Sequence, residues 1–108
     1  MTELCRLEQL DTTGSLGLTV DLGRGPEEIF VVRRHDVVRA YRNSCPHTGG
    51  PLEWQDDAFL DDEGEHIVCA THGALFRIDD GYCLAGPCRR QSLSAVPVRV
   101  EGEKVVLA

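Results

Sequence analysis

The chain has 108 residues, is 42% hydrophobic and carries a net charge of −7. That length predicts one domain, residues 1–108, with a modest core. The acidic balance excludes a nucleic-acid binder, and no apolar run approaches the roughly 18 residues of a membrane span.

The first residues, MTELCRLEQLD, hold Glu3, Arg6, Glu8 and Asp11 in place of the apolar run of a signal peptide. A cytoplasmic protein is therefore expected. In a reducing compartment Cys5, Cys45, Cys69, Cys83 and Cys88 read as thiols or metal ligands rather than a disulfide framework.

The pattern along the chain is β throughout. Leu4 to Leu10 alternates loosely, and SLGLTVDLG alternates Leu16, Leu18, Val20 and Leu22 with period two. GRGP, Gly23 to Pro26, breaks the chain. EIFVVRR and VVRAYRN flank His35-Asp36 and read as a hairpin. A short helix around residues 52–59 is allowed. HIVCA and ALFRI read as short strands, DDGY as a turn and LAGPC as a loop. LSAVPVRVEGEKVVLA predicts a closing hairpin that turns near Glu101-Gly102. No 12-residue window has a helical period, so the expected class is all-β. The chain ends and first strands would form a base, with an excursion over about residues 42–88.

That excursion carries the chemistry. CPHTGG places Cys45 and His47 two positions apart, and CATHG places Cys69 and His72 three apart. Each pair lies beside glycines, which permit close backbone approach and leave N–H groups to face a ligand. Thiolate and imidazole together suit iron, zinc or copper. One zinc ion held by all four residues is one reading. A 2Fe–2S cluster with two thiolates on one iron and two imidazoles on the other is the second. Zinc modules usually carry like ligands on one loop, whereas each loop here carries one of each kind. Chance pairing of a surface histidine with a small buried cysteine is a poor account of two such loops.

Other features have plainer readings. Cys5 is expected in a strand, Cys83 and Cys88 as structural thiols, His35 in a turn and His66 at the start of a strand. Trp54 is expected to anchor the core. Glu53, Asp56, Asp57, Asp61, Asp62, Glu63 and Glu65 make an acidic stretch, and no Lys or Arg occurs from Cys45 to Val68. The stretch reads as a solvated loop or as a docking surface for a basic partner.

CPHTGGPL, CATHGALF and the following GPC resemble the Rieske ferredoxin family over residues 41–88. The resemblance implies an antiparallel all-β fold, a base β-sandwich with an inserted cluster-binding subdomain. It implies one Rieske-type 2Fe–2S cluster with Cys45 and Cys69 on one iron and His47 and His72 on the other. The implied function is a soluble one-electron carrier, not catalytic alone, that takes electrons from a flavin reductase and passes them to an oxygenase or other oxidoreductase. The iron on the imidazole side would be the one reduced. A small subunit of a nitrite reductase and a zinc-bound interaction module are the alternatives.

Respiratory and photosynthetic members add a disulfide-bridged cysteine on each loop, where this chain has Gly50 and Thr71. They also place Ser and Tyr donors where it has Ala74 and Phe76. With fewer donors to the cluster sulfurs, the expected potential is low, roughly −200 to −50 mV.

Overall fold

The structure is a computed structural model that describes residues 3–11, 14–35, 37–44, 52, 59–61, 63–69, 73–86 and 90–108. In chain order the elements are β1 (Glu3–Arg6), a 3-10 turn (Leu7–Leu10), β2 (Ser15–Asp21), β3 (Pro26–Arg34), β4 (Val37–Arg42), β5 (His66–Cys69), β6 (Ala74–Arg77), β7 (Cys83–Ala85), β8 (Ala95–Val96), β9 (Val98–Glu101) and β10 (Lys104–Leu107). Among the described residues there is no α-helix, and no helix is long and apolar enough to cross a membrane. The strands form three antiparallel sheets, ordered β1-β10-β9, β2-β3-β4-β8 and β5-β6-β7. The all-β expectation holds.

β3 organises the layers. Its run Ile29-Phe30-Val31-Val32 is fully buried, and successive side chains of a strand face opposite ways. Ile29 and Val31 enter a core with Cys5, Leu10, Val38, Ala40, Val96 and Val105, which fills the base. Phe30 and Val32 enter a second core with Tyr41, Leu52, Phe59, Ile67, Phe76 and Leu93, against which the β5-β6-β7 sheet packs. A continuous apolar run is the pattern of a strand covered on both faces. β2, at the edge of the same sheet, has the alternating pattern instead and pairs with β3 from Ser15↔Val32 to Asp21↔Pro26.

Some local expectations need correction. The loose alternation of Leu4 to Leu10 divides into β1 and the 3-10 turn. There Leu7 and Leu10 share a face at i and i+3, and both pack into the base core. The Arg6 N–H donates to Gln9 Oε1 at 2.8 Å, and the Leu7 N–H donates to the Glu103 carbonyl at 2.8 Å. LAGPC is not wholly loop, because Cys83–Ala85 pairs with β6 through Phe76↔Cys83 and Leu75↔Ala85. Ala95–Val96 is a separate short strand on β4. Pro97, with no N–H to donate, interrupts it before the closing hairpin.

The β9–β10 hairpin is as expected, with Gly102 in its turn at φ 64°. His35 occupies the β3–β4 turn at φ 56°. The helix allowed at 52–59 falls almost wholly outside the described residues, which include only its ends, Leu52 and Phe59.

Candidate metal centre

Of the four predicted ligands, Cys69 lies among the described residues, while Cys45, His47 and His72 lie outside them. Cys69 ends β5, is fully buried and is a thiol. The Gly73 N–H donates to the Cys69 carbonyl at 2.8 Å, and Cys69 pairs with Ala74 across the β5–β6 hairpin. These two contacts fix Cys69 at the end of β5. Gly73 takes φ 67°, a left-handed conformation that favours glycine.

Neighbouring segments brace that turn on both flanks. Gly86 lies so close to Ala74 that a Cβ added to it would sit 2.7 Å from the Ala74 Cα. On the far side Leu60 bridges to Ile67, and the Val68 N–H donates to the Phe59 carbonyl at 2.8 Å. Phe59 stacks on Phe30 with ring centroids 4.4 Å apart, and its N–H reaches the buried Ser15 hydroxyl at 3.4 Å.

The first predicted ligand pair, Cys45 and His47, follows the end of β4 in sequence. The Asn43 N–H donates to the Glu28 carbonyl at 2.9 Å, and Asn43 Oδ1 accepts the Leu52 N–H at 2.8 Å. Leu52 is fully buried. Asn43, Ser15 and Tyr41 were not singled out from the sequence. The only signal for Asn43 was an asparagine at a strand end two residues before Cys45.

The donor set can be tested against a metal group at Cys69. A buried thiol at a strand end, on a turn fixed by a backbone hydrogen bond, is a soft donor held away from water. Ala74 and Phe76 beside it are fully buried and apolar. Among the described residues no three His, Cys, Asp or Glu side chains form a competing cluster. What is described of the site thus fits an iron–sulfur group.

The other thiols and histidines have local roles. Burial, with the Glu3 carboxylate adding to it, pushes the Cys5 thiol up, which keeps it unreactive. The Cys83 thiol donates to the Ala85 carbonyl at 3.2 Å. His66 begins β5, and its Nδ1 lies 3.1 Å from Asp61 Oδ2. Asp61 Oδ1 also accepts the N–H groups of Glu65 at 2.9 Å and His66 at 3.3 Å. Burial raises the Asp61 carboxyl, but the backbone N–H of Glu65 and the contacts from His66 together outweigh it and hold the group below its ordinary value. Cys88 and Trp54 lie outside the described residues.

Residues 1–107 match the family model of the Rieske 2Fe-2S domain. The chain is 33% identical over 85 residues to the carnitine monooxygenase oxygenase subunit of Acinetobacter baumannii, a match covering 69% of the chain and 21% of that relative. It thus spans about a fifth of the length of the curated relatives it matches. Among solved structures it is similar to the ferredoxin of carbazole 1,9a-dioxygenase from Nocardioides aromaticivorans IC177. That likeness has 28% identity and a TM-score of 0.73, and covers 100% of this chain and 98% of that one. A ferredoxin solved in complex with its oxygenase, also of carbazole 1,9a-dioxygenase, shares the fold at TM-score 0.72 and 24% identity, with 98% and 99% covered.

Proposed function

The chain belongs to the Rieske 2Fe-2S domain family, whose cofactor is one 2Fe–2S cluster, and from that premise we propose that it is a one-electron carrier of the ferredoxin kind. The observation that carries the reading is the likeness in sequence and fold to a ferredoxin of an oxygenase system. When bound, the cluster supplies reversible one-electron chemistry.

We assign its ligands to Cys45, His47, Cys69 and His72, within a cluster-binding segment of about residues 42–88 in one domain. The protein's own part would be to hold these side chains and to keep water from Cys69. Ala74 and Phe76 offer no side-chain donor to cluster sulfur, which supports a low potential. The carrier would work in the cytoplasm, accept electrons from a flavin reductase and deliver them to an oxygenase, without catalysis of its own. The likeness to a ferredoxin of a dioxygenase supports the oxygenase as acceptor.

The test is direct. Purified protein should be red-brown and hold two irons and two acid-labile sulfides per chain. Alanine at Cys45, His47, Cys69 or His72 should abolish the native cluster. An unchanged electron paramagnetic resonance spectrum of the reduced protein after His47→Ala or His72→Ala would refute the ligand assignment. A colourless protein loaded with zinc would refute the carrier.

A further inference from the structure

β9 is an edge strand. It pairs with β10 from Val98↔Leu107 to Glu101↔Lys104, and among the described residues no strand pairs with its other side. Hydrogen-bonded and non-bonded pairs alternate along an antiparallel ladder. The Ala108 N–H donates to the Pro97 carbonyl at 3.0 Å, so Arg99 and Glu101, in step with Pro97, turn their backbone groups to β10. Val98 and Val100 turn theirs to the outer edge. Val100 is 43% exposed, although Val105 opposite it is fully buried in the base core. Cross-strand neighbours share a face, so Val100 stands at the open rim of that core. Arg99 and Glu101 flank it on the other face, where Arg99 Nη2 lies 2.6 Å from Glu101 Oε2.

We propose that β9 is a docking edge for a second copy of this chain, joined antiparallel about a two-fold axis at Val100. Reversal about that residue sets Val100 against Val100 of the second copy, where the two exchange both their N–H···O=C bonds. It also brings the two exposed side chains together at the rims of their cores. Arg99 then lies opposite Glu101 of the second copy, and Glu101 opposite Arg99, in the non-bonded positions where cross-strand side chains approach closest. Val98 faces Gly102 of the second copy, which has no side chain and open space around it. Charges on an edge strand ordinarily keep copies apart, because like meets like. Here the order Arg-Val-Glu is its own complement when reversed, which is what singles out a second copy as the occupant. The pairing uses the base sheet and not the β5-β6-β7 sheet that holds Cys69.

The experiment is sedimentation velocity of the purified protein over a concentration series, with far-ultraviolet circular dichroism reporting the fold of each variant. One strand pair makes an interface below the standard size, so the dimer should be weak, with a dissociation constant of about 0.1–1 mM. Glu101→Arg and Arg99→Glu each set like charges against each other at two places and should weaken it at least about tenfold. The double variant, Arg99→Glu with Glu101→Arg, restores opposite charges and should associate as the wild type does. Val100→Pro removes an N–H that the ladder with β10 does not use, so it should fold and stay monomeric.

A wild type that is monomeric at about 1 mM would overturn the proposal. So would association that the single reversals leave unchanged, because the dimer would then form elsewhere. A double variant as weak as the single ones would overturn it too, since the order of the charges would not matter. Should Val100→Pro fail to fold, the three charge variants decide alone; should it fold and still associate, the edge pairing is wrong.

Discussion

The Tyr41 hydroxyl donates a 2.6 Å hydrogen bond to the Ile78 backbone carbonyl, which ties β4 of the base to the turn that follows β6. Tyr41 is buried, lies against Phe30 and crowds Gly81, where an added Cβ would meet the Tyr41 ring at 2.8 Å. Tyr41→Phe removes the donor and leaves the carbonyl without it, at a cost of about 1–3 kcal/mol in urea unfolding. Burial, with Asp80 and Asp79 adding and Arg39 opposing, pushes the phenol up to about 12 from an ordinary 10.0. A group whose folded value is raised stabilises fully below its unfolded value and progressively less above it. The wild-type protein should therefore lose stability between about pH 10 and 12, and Tyr41→Phe should lack that loss.

Gly86→Ala should be among the costlier glycine replacements. Its φ is 105°, and the new Cβ would meet the Ala74 Cα at 2.7 Å and Cβ at 2.9 Å. Backbone cannot yield as a flexible side chain does, so about 1–3 kcal/mol of overpacking adds to the dihedral strain. Gly102→Ala is the control, with φ 64° and open space around it; it should cost about 1 kcal/mol. Thermal unfolding of both variants measures the difference, and equal midpoints would mean that Ala74 can move away.

Asp61, within the acidic stretch, has a structural task. Asp61→Ala strips acceptors from the Glu65 and His66 N–H groups and the His66 ring, and should cost about 1–2 kcal/mol. Its carboxyl lies below the ordinary 3.8 in the folded protein. That stability is present above 3.8 and fades as pH falls through the folded value, so acid unfolding of Asp61→Ala should lose this step. A docking role for the stretch is tested without Asp61, by reversing Asp56, Asp57 and Asp62 to Lys. Electron transfer with a basic partner should slow at low salt and converge with wild type at high salt. Identical rates at low salt would leave the stretch a solubility feature.

Phe76→Tyr tests the low potential. Phe76 is fully buried and belongs to the same core cluster as Cys69. A phenol hydroxyl that bonds a cluster sulfur should raise the midpoint by about 50 mV, one hydrogen bond expressed for one electron. Protein-film voltammetry at pH 7 measures it, with the wild type expected at roughly −200 to −50 mV. A wild-type midpoint above about +100 mV would show that the donors to sulfur were undercounted.

The strands of the base were legible because their patterns are local. Leu16, Leu18 and Val20 alternate at an edge, and Ile29 to Val32 run unbroken between two cores. The family was legible because CPHTGG and CATHG are compact motifs. What joins the parts was not legible. Tyr41 reaches Ile78 and Asn43 reaches Leu52 only once the sheets have packed, and neither pairing leaves a periodicity behind. β7 and β8 escaped notice because strands of three and two residues are too short to alternate, and they exist by virtue of the partners β6 and β4 offer.

The pairing of β1 with β10, Glu3 opposite Val106, bears on how the chain acquires its shape. Contacts so far apart in sequence wait for nearly the whole polypeptide to close on itself, and such topologies fold slowly. The β5–β6 hairpin, Ile67 opposite Phe76, needs only its own few residues and belongs to the microsecond events. The turn beside Cys69 closes over few residues, whereas the terminal strands pair across almost the full span of the sequence.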